Sequence, residues 1–205
     1  MPASHPTPSP LRVVLASGSR WRRSLLRDTG VQCVAIESRL DEHSYTEPDP
    51  VLRARGLALA KARLVARSEP SSVVIGADQV AHMDGEVFGK PADADDHFAR
   101  LRAMRGRSHA LVTGVAVIAP DNERVFHETS IIWMRADVTD AELAAYVRSG
   151  EGAGCAAGYQ AEHLGAQLIE RVEGDWFNVI GLPIYRLVTV LRELGWRPDA
   201  LGGAP

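Results

Sequence analysis

Apolar and polar positions at the start of the chain predict a strand, a short loop and a helix. Residues 12–16 (RVVLA) form a short, mostly apolar run of the kind found in buried strands. Small polar residues follow at 17–19 (SGS), and the segment 21–30 carries a pair of leucines on one face and ends in glycine. Because glycine commonly ends helices, this segment is predicted to be one helix that begins after the loop.

Strands and helices continue to be predicted as far as residue 104. Apolar runs predict strands, and apolar residues at helical spacing predict helices. The predicted elements of this part cover, in order, 31–36, 50–67, 71–78 and 93–104. An acidic loop occupies 37–49, and the turn residues Asp84 and Gly85 lie between two short extended segments, which predicts a hairpin.

The second half of the chain predicts further strands and helices around a glycine-rich loop. Its predicted elements are strands 109–119 and 123–137, a helix from about Thr139, a loop from Gly150 to Gly165, a strand at 166–173 and a closing helix at 181–194. This order favours one α/β (α+β) domain over 11–196, with a mixed, partly antiparallel sheet. The proline-rich residues 1–10 are predicted to be a disordered leader, and residues 197–205 a flexible tail.

Composition and charge exclude several classes of protein. Of 205 residues, 45% are hydrophobic and 24% are charged, which is typical of a globular domain and unlike a fibrous or disordered chain. The net charge of −3 gives no general reason to bind a nucleic acid polymer. We find no apolar run long enough for a membrane span and no signal peptide, so we expect a cytoplasmic protein that binds no membrane. Cys33 and Cys155 are expected to be free thiols.

Lysine is rare in this chain, and its positions are informative. Among 23 basic residues, Lys61 and Lys90 are the two lysines. A lysine is a compact point charge and an arginine is a planar fork, so a site that requires an ammonium would keep lysine. The alternative is that both lysines are accidents of composition. Lys61 lies on the helix stripe that is predicted to face the core.

The segment 17–23 combines features of an anion site. It holds Ser17, a glycine and three arginines, of which Arg22 is one. Hydroxyl groups, backbone N–H groups at a helix start and guanidinium groups bind anions, and phosphate is the usual anion. The alternative is a solvated basic helix face.

Four acidic residues are candidates for chemistry. Asp78 ends a predicted apolar strand, where α/β sheets present catalytic groups, although a carboxylate there is also a common cap. Asp41 and Glu42 lie in the acidic loop and Glu162 lies in the glycine-rich loop, where the alternative is solvated surface.

Several ordered segments carry a family resemblance. The opening LASGSRWRRSLL is similar to L-A-S-x-S-x-x-R-x-x-L-L, LDE at 40–42 matches an acidic loop, and ALAKA holds a helix lysine. IGADQV, DGEVFGKP, GRSHALVTGVAV and GYQAEHLGAQLIERVEG follow in the same order. Together these segments resemble the Maf family of nucleoside triphosphate pyrophosphatases over nearly the whole chain, from residue 11 to residue 194. Both lysines fall within the matching motifs, which weakens the compositional explanation.

The resemblance implies an inosine-triphosphatase-like α/β fold, with a mixed sheet in two lobes flanking a central cleft. It also implies hydrolysis of a nucleoside triphosphate to the monophosphate and pyrophosphate, with a divalent cation such as Mg²⁺, Mn²⁺ or Co²⁺, and commonly a homodimer. By position, Asp78 matches the family's proton acceptor, Glu42 its metal ligand, and Ser17, Arg22, Lys61 and Lys90 its phosphate-side residues.

Three further positions match those that set base choice in the family. Trp21, Gln79 and Glu162 resemble the branch that acts on 7-methyl-GTP, whereas the branch that cleaves dTTP and UTP typically has Arg, Thr and Gln there. A carboxylate accepts both donors of the guanine edge, and an indole face stabilises the cationic methylated ring. We therefore expect 7-methyl-GTP as the substrate. For Trp21 the alternative is packing within its helix.

Departures from this branch keep other functions open. Gln160 replaces a lysine, His163 replaces a glycine, Arg20 stands where proline is common, and Ala77 agrees with the pyrimidine branch. The alternatives are a dTTP/UTP pyrophosphatase of the same family and a non-catalytic nucleotide-binding regulator of division. A cap-like RNA-binding module would need a basic groove and more aromatic residues than the 6% present.

Overall fold

The computed structural model describes residues 11–198. Within them, seven strands form one sheet: β1 Val13–Leu15, β2 Val34–Ala35, β3 Val73–Met83, β4 Glu86–Phe88, β5 Ser108–Ala119, β6 Asn122–Met134 and β7 Ile169–Glu173. The order along the sheet is β2-β1-β3-β5-β6-β7, and β4 pairs with β3 outside this path. The predicted leader, 1–10, and residues 199–205 of the predicted tail lie outside the described residues.

The sheet is mixed. β1 is parallel to both β2 and β3, whereas β3 pairs antiparallel with β4 and β5, and β6 pairs antiparallel with β5 and β7. The two long ladders, β3–β5 and β5–β6, are both antiparallel, and β3, β5 and β6 each have more than ten residues. The predicted fold class, α/β (α+β) with a mixed sheet, is therefore confirmed.

Helices begin where the sequence provides capping side chains. In residues 11–198 the α-helices are α1 Arg20–Asp28, α2 Pro50–Ala66, α3 Ala94–Met104, α4 Asp140–Arg148, α5 Trp176–Ile180 and α6 Ile184–Glu193. In the first five, a backbone N–H of the first turn donates a hydrogen bond to the capping side chain, which belongs to Ser19, Asp49, Asp93, Thr139 and Asp175, respectively. Among these helices, none combines the length and the apolar character that a bilayer crossing needs.

Two apolar cores lie toward opposite ends of the long strands, on one face of the sheet. The first includes Ile75 of β3 and Val115 of β5, which pack with α1 and α6. The second includes Ala81 of β3 and Leu111 of β5, which pack with α3 and α4. The middle of these strands lies between the cores, as expected for two lobes flanking a cleft.

Helix α2 covers the other face of the sheet and lies close to it at two glycines. A Cβ atom at Gly76 would lie 2.2 Å from the carbonyl oxygen of Ala58, and one at Gly114 would lie 2.2 Å from the carbonyl carbon of Ala54. These neighbours are backbone atoms of α2, so a larger residue at either glycine would displace the whole helix. This close packing sets the distance between α2 and the middle of β3.

One edge of β3 lacks a strand partner in its middle. β1 pairs with β3 at residues 73–75 and β4 pairs with it at 81–83, whereas β5 covers the opposite edge from residue 74 to residue 82. Within the described part of the chain, residues 76–80 are therefore unpaired on the side shared by β1 and β4. This gap lies between the two cores and forms the floor of the cleft.

Some predicted boundaries were wrong. β3 does not end at Asp78, because its ladder with β5 continues to His82, so Asp78 lies in the middle of a strand. The predicted strand 31–36 was too long, because only Val34 and Ala35 of it form β2 and pair with β1. A 3₁₀ helix at Leu164–Leu168 replaces the start of the predicted final strand, and the short helix α5 was not predicted.

A buried histidine lies in the second core. His109 of β5 is 3% exposed, and its Nε2 lies 2.7 Å from the hydroxyl oxygen of Tyr159. Burial lowers the pKa of His109 from 6.5 to about 4, and the charge of His82 acts in the same direction. The folded protein therefore resists protonation of this side chain.

We expect the free energy of unfolding to decrease as the pH falls from about 6.5 to about 4, in part because of His109. In this range the unfolded chain binds a proton at His109 and the folded chain does not, which costs on the order of 2–3 kcal/mol of stability by pH 4. His109→Gln should have a smaller decrease between pH 7 and pH 5, measured by urea unfolding. The exposed His163→Gln is the control, and equal pH dependence in all three proteins would contradict the assignment.

Candidate active site

The loop after β1 places Ser17 and Arg22 at the unpaired edge of β3. Ser17 Oγ accepts hydrogen bonds from the backbone N–H of Ser19 at 3.2 Å and from Nη1 of Arg22 at 3.3 Å. The same Nη1 donates to the carbonyl oxygen of Ala77 at 2.9 Å, and Nε donates to that of Gly181 at 3.0 Å. One guanidinium group thus connects the β1 loop, β3 and the turn before α6.

The guanidinium group of Arg22 can also bind an anion. Burial lowers its pKa from the usual value, and the charges of Asp78 and Glu42 act in the opposite direction. Its Nη2 group makes no hydrogen bond with another residue in the range 11–198. Arg22 can therefore bind a phosphate through Nη2 while its other nitrogens hold the cleft floor in place.

Three of the predicted site residues form one charged cluster. Lys61 Nζ lies 2.6 Å from Oδ1 of Asp78 and 2.8 Å from Oε1 of Glu42. The side chains of Lys61 and Asp78 are 8% and 11% exposed, whereas that of Glu42 is 52% exposed. Solvent therefore reaches the cluster from the side of Glu42. The predicted inward position of Lys61 is confirmed, and its amine contacts two carboxylates.

The cluster also provides oxygen ligands suited to a divalent cation. Among the side chains that the structure describes, there is no group of three or more His, Cys, Asp or Glu residues that could hold a metal ion. Mg²⁺ is usually bound by one or two carboxylates together with the phosphates of a substrate. Glu42, with its half-exposed carboxylate near Asp78, fits this mode of binding.

A small cavity adjoins the charged cluster. It has a volume of about 90 Å³ and is lined by the β1 loop, residues 37–40, Glu42 and Lys61. A larger cavity, of about 370 Å³, lies against α4 and is lined by residues such as Arg135 and Tyr146, without any of the predicted site residues. We place the candidate site at the smaller cavity because the charged groups converge there.

Trp21 of α1 reaches across the cleft to the glycine-rich loop. Its Nε1 donates a hydrogen bond to Oε1 of Gln160 at 3.3 Å. The guanidinium carbon of Arg20 lies 4.5 Å from the centroid of the indole ring. One face of the ring is therefore already covered by a cation of the protein itself, which leaves less of the indole available to a cationic base.

Gln79 belongs to a buried polar network on the face of β3 opposite Asp78. Its Nε2 donates to the carbonyl oxygen of Asn178 at 2.7 Å and to Oγ1 of Thr113 at 3.1 Å. Asn178 is itself fully buried, and its Nδ2 donates to Oγ of Ser130 and to the carbonyl of Leu111. The amide hydrogens of Gln79 are thus committed to the protein, which leaves its Oε1 as the free group.

Lys90 and Glu162 both act on the thiol of Cys155 in the glycine-rich loop. Neither makes an ion pair with another residue between 11 and 198. The pKa of the Cys155 thiol is raised to about 11, chiefly by burial and then by the charge of Glu162, while Arg20 and Lys90 act to lower it. Charges from α1, from Lys90 and from the glycine-rich loop therefore all act on this one thiol.

The sequence did not predict how the glycine-rich loop is held. The carboxylate of Glu151 accepts hydrogen bonds from the Tyr146 hydroxyl at 3.0 Å and from the backbone N–H groups of Leu164 at 3.2 Å and Gly165 at 2.8 Å. The two ends of the loop are thereby joined. A carboxylate at the start of a glycine-rich run is a signal that could have suggested this role.

Comparison with known proteins gives a family match over most of the chain. A family model described as "Maf-like protein" matches residues 12–194. A protein of Symbiobacterium thermophilum named "dTTP/UTP pyrophosphatase" is 38% identical over 193 residues, which cover 94% of this chain and 98% of the relative. A protein of Deinococcus radiodurans with the same name is 43% identical over 184 residues, which cover 90% and 93% of the two chains.

Solved structures share the fold at lower identity. The Staphylococcus aureus Ham1 protein superposes with a TM-score of 0.51 at 14% identity. A HAM1 protein from Coxiella burnetii superposes with a TM-score of 0.50 at 17% identity. Each match covers 89% of this chain and 99% of the other. These likenesses support the same fold class as the sheet topology does.

Proposed function

Because the chain belongs to the Maf-like family and is a nucleoside triphosphate pyrophosphatase, we propose that dTTP and UTP are its substrates. The observation that supports this proposal most directly is the name shared by the relatives at 38% and 43% identity. It favours the alternative over the 7-methyl-GTP that we expected from Trp21, Gln79 and Glu162. Arg20 also covers one face of the Trp21 indole, which leaves less of the ring for a cationic base and so favours dTTP and UTP.

Asp78 is the general base in this proposal. The reaction needs a water molecule to lose a proton as it attacks the α-phosphorus, and a positioned carboxylate can accept that proton. Oδ1 of Asp78 is held by Lys61 at 2.6 Å, which leaves Oδ2 for the water. Asp78 pairs with Gly114 of β5 on one edge of β3 and has no partner among the described strands on the other, so its carboxylate lies at the cleft floor.

Fixed cationic and polar groups bind the triphosphate in this proposal. Negative charge builds on the pyrophosphate as the bond to the α-phosphorus breaks, and preorganised donors stabilise that charge. Ser17 and Arg22 supply donors from the first lobe, and Lys90 supplies an exposed ammonium from the second. A divalent cation held by Glu42 would supply further neutralisation of the phosphate charge.

A second candidate substrate is 7-methyl-GTP. Trp21, Gln79 and Glu162 are the residues expected of an enzyme for that nucleotide, and Glu162 has no ion pair with another described residue. Its carboxylate could accept both donors of the guanine edge. This candidate requires the methylated ring to bind the indole face that Arg20 leaves open, or to displace Arg20.

A nucleotide panel separates the two candidates. We expect kcat/KM for dTTP and UTP to exceed that for 7-methyl-GTP by about tenfold or more, which corresponds to about 1.4 kcal/mol of transition-state stabilisation. Pyrophosphate release should be measured with Mg²⁺, Mn²⁺ and Co²⁺ in turn. The base assignment would be reversed if the wild type prefers 7-methyl-GTP and Trp21→Ala lowers kcat/KM more for that nucleotide than for GTP. The assignment as a pyrophosphatase would not change.

A further inference from the structure

The side-chain orientation of Gln160 follows from its contact with Trp21. An indole N–H is a donor and never an acceptor, so the amide must turn its oxygen toward Nε1 of Trp21, which lies 3.3 Å away. The NH₂ group then points away from the indole ring. It makes no hydrogen bond with any side chain or backbone group in residues 11–198. Gln160 therefore offers two free N–H donors beside Trp21.

The backbone of Gln160 is held from the opposite side. Its N–H donates to the hydroxyl oxygen of Tyr146 at 3.1 Å, and the same hydroxyl donates to Glu151 at 3.0 Å. Glu151 in turn joins the ends of the glycine-rich loop through its bonds to Leu164 and Gly165. A loop fixed in this way loses little conformational freedom when it binds a ligand.

A free acceptor lies two residues further along the same loop. Glu162 is partly buried and has no ion pair with another described residue. Its charge and that of Arg20, the first residue of α1, act on the same Cys155 thiol. Within three residues the loop therefore carries a free donor at Gln160, beside Trp21, and a carboxylate without an ion pair at Glu162.

We propose that Gln160 and Glu162 together select bases in which a ring N–H lies next to a carbonyl group. This inference rests on the proposed function and names the edge of the base that the site reads. In uracil and thymine the Gln160 amide donates to O4 and Glu162 accepts from N3–H, and guanine offers O6 and N1–H in the same arrangement. Cytosine and adenine present an amino group next to a ring acceptor, which reverses both hydrogen bonds. Gln160 is thus a specificity-determining residue against amino bases.

Wild-type protein is expected to prefer UTP over CTP, and GTP over ATP, by roughly ten- to a hundredfold in kcat/KM, because the wrong base leaves both protein groups unpaired. The double variant Gln160→Glu, Glu162→Gln exchanges donor and acceptor at constant charge and should invert the UTP:CTP ratio. Its carboxylate at 160 can still accept from Trp21. The matched control Gln167→Glu, Glu170→Gln makes the same exchange at exposed positions and should keep the wild-type ratio.

A single variant and a binding measurement keep the test decisive. Gln160→Leu should reduce the UTP:CTP ratio toward one even if the exchanged variant does not fold, with thermal unfolding as the check on structure. Calorimetric binding of α,β-methylene UTP and CTP reports base selection without turnover. Preferential binding of the UTP analogue by a protein that hydrolyses no triphosphate would support the inference and refute the proposed function. Equal use of UTP and CTP, or a ratio that none of these variants changes, would refute the inference while the pyrophosphatase activity stands.

Discussion

Asp78→Asn is expected to lower kcat by roughly 10²–10⁴ and to change nucleotide binding little, which is the range for loss of a general base. The amide keeps the shape of the carboxylate and can still accept a hydrogen bond from Lys61, which lies 2.6 Å from Oδ1. It cannot take a proton from the attacking water. The measurement is steady-state pyrophosphate release, combined with binding of a non-hydrolysable nucleotide.

The exposed Asp121→Asn is the matched control for this change, since it makes the same substitution in the turn before β6. It should keep wild-type kinetics. Turnover of Asp78→Asn within a few-fold of wild type would exclude Asp78 as the base and direct attention to Glu42. Loss of nucleotide binding together with turnover would instead show that Asp78 has a role in holding the substrate.

Lys61→Met is expected to lower the free energy of unfolding by about 3 kcal/mol, at the lower end of the range for breaking a buried ion pair. The side chains of Lys61 and Asp78 are 8% and 11% exposed, so removal of the ammonium leaves a carboxylate that water solvates poorly. Glu42 should contribute less to this loss because its side chain is 52% exposed. Urea unfolding of the purified variant measures the effect.

The double variant Lys61→Met, Asp78→Asn tests the cause of that loss. Asp78→Asn removes the carboxylate charge that Lys61→Met leaves without a partner. The double variant should therefore be more stable than Lys61→Met alone. Arg63→Met is a control on the same helix, where the exposed ion pair with Glu123 should contribute at most about 1 kcal/mol. A double variant no more stable than the single one would show that the loss comes from packing in α2.

The sequence was sufficient for elements that depend on local signals. Helix α2 begins at Pro50 after the cap Asp49, and its apolar stripe correctly placed Lys61 toward the sheet. The end of β3 could not be predicted in the same way. It depends on the ladder with β5, and the whole of β4 and α3 lies between the two strands in the chain. A pattern within one strand cannot report where its partner stops.

In the candidate site, too, local sequence signals predict some contacts and not others. Lys61 and Asp78 lie on elements whose inward faces the sequence indicates. Their proximity could therefore be predicted from the hydrophobic pattern and the motifs. The contact between Trp21 and Gln160 joins residues 139 positions apart through a loop without regular structure. Neither hydrophobic period nor helix capping carries information on such a contact. The role of Gln160 therefore came from the structure.

The long strands that run through both apolar cores have a consequence for cooperativity. β3 supplies Ile75 to one core and Ala81 to the other, and β5 supplies Val115 and Leu111 in the same way. Neither lobe can open locally without pulling these strands out of its neighbour, so the two lobes form one foldon. A nucleotide bound between them would protect both lobes against proteolysis and hydrogen exchange, including segments far from the ligand.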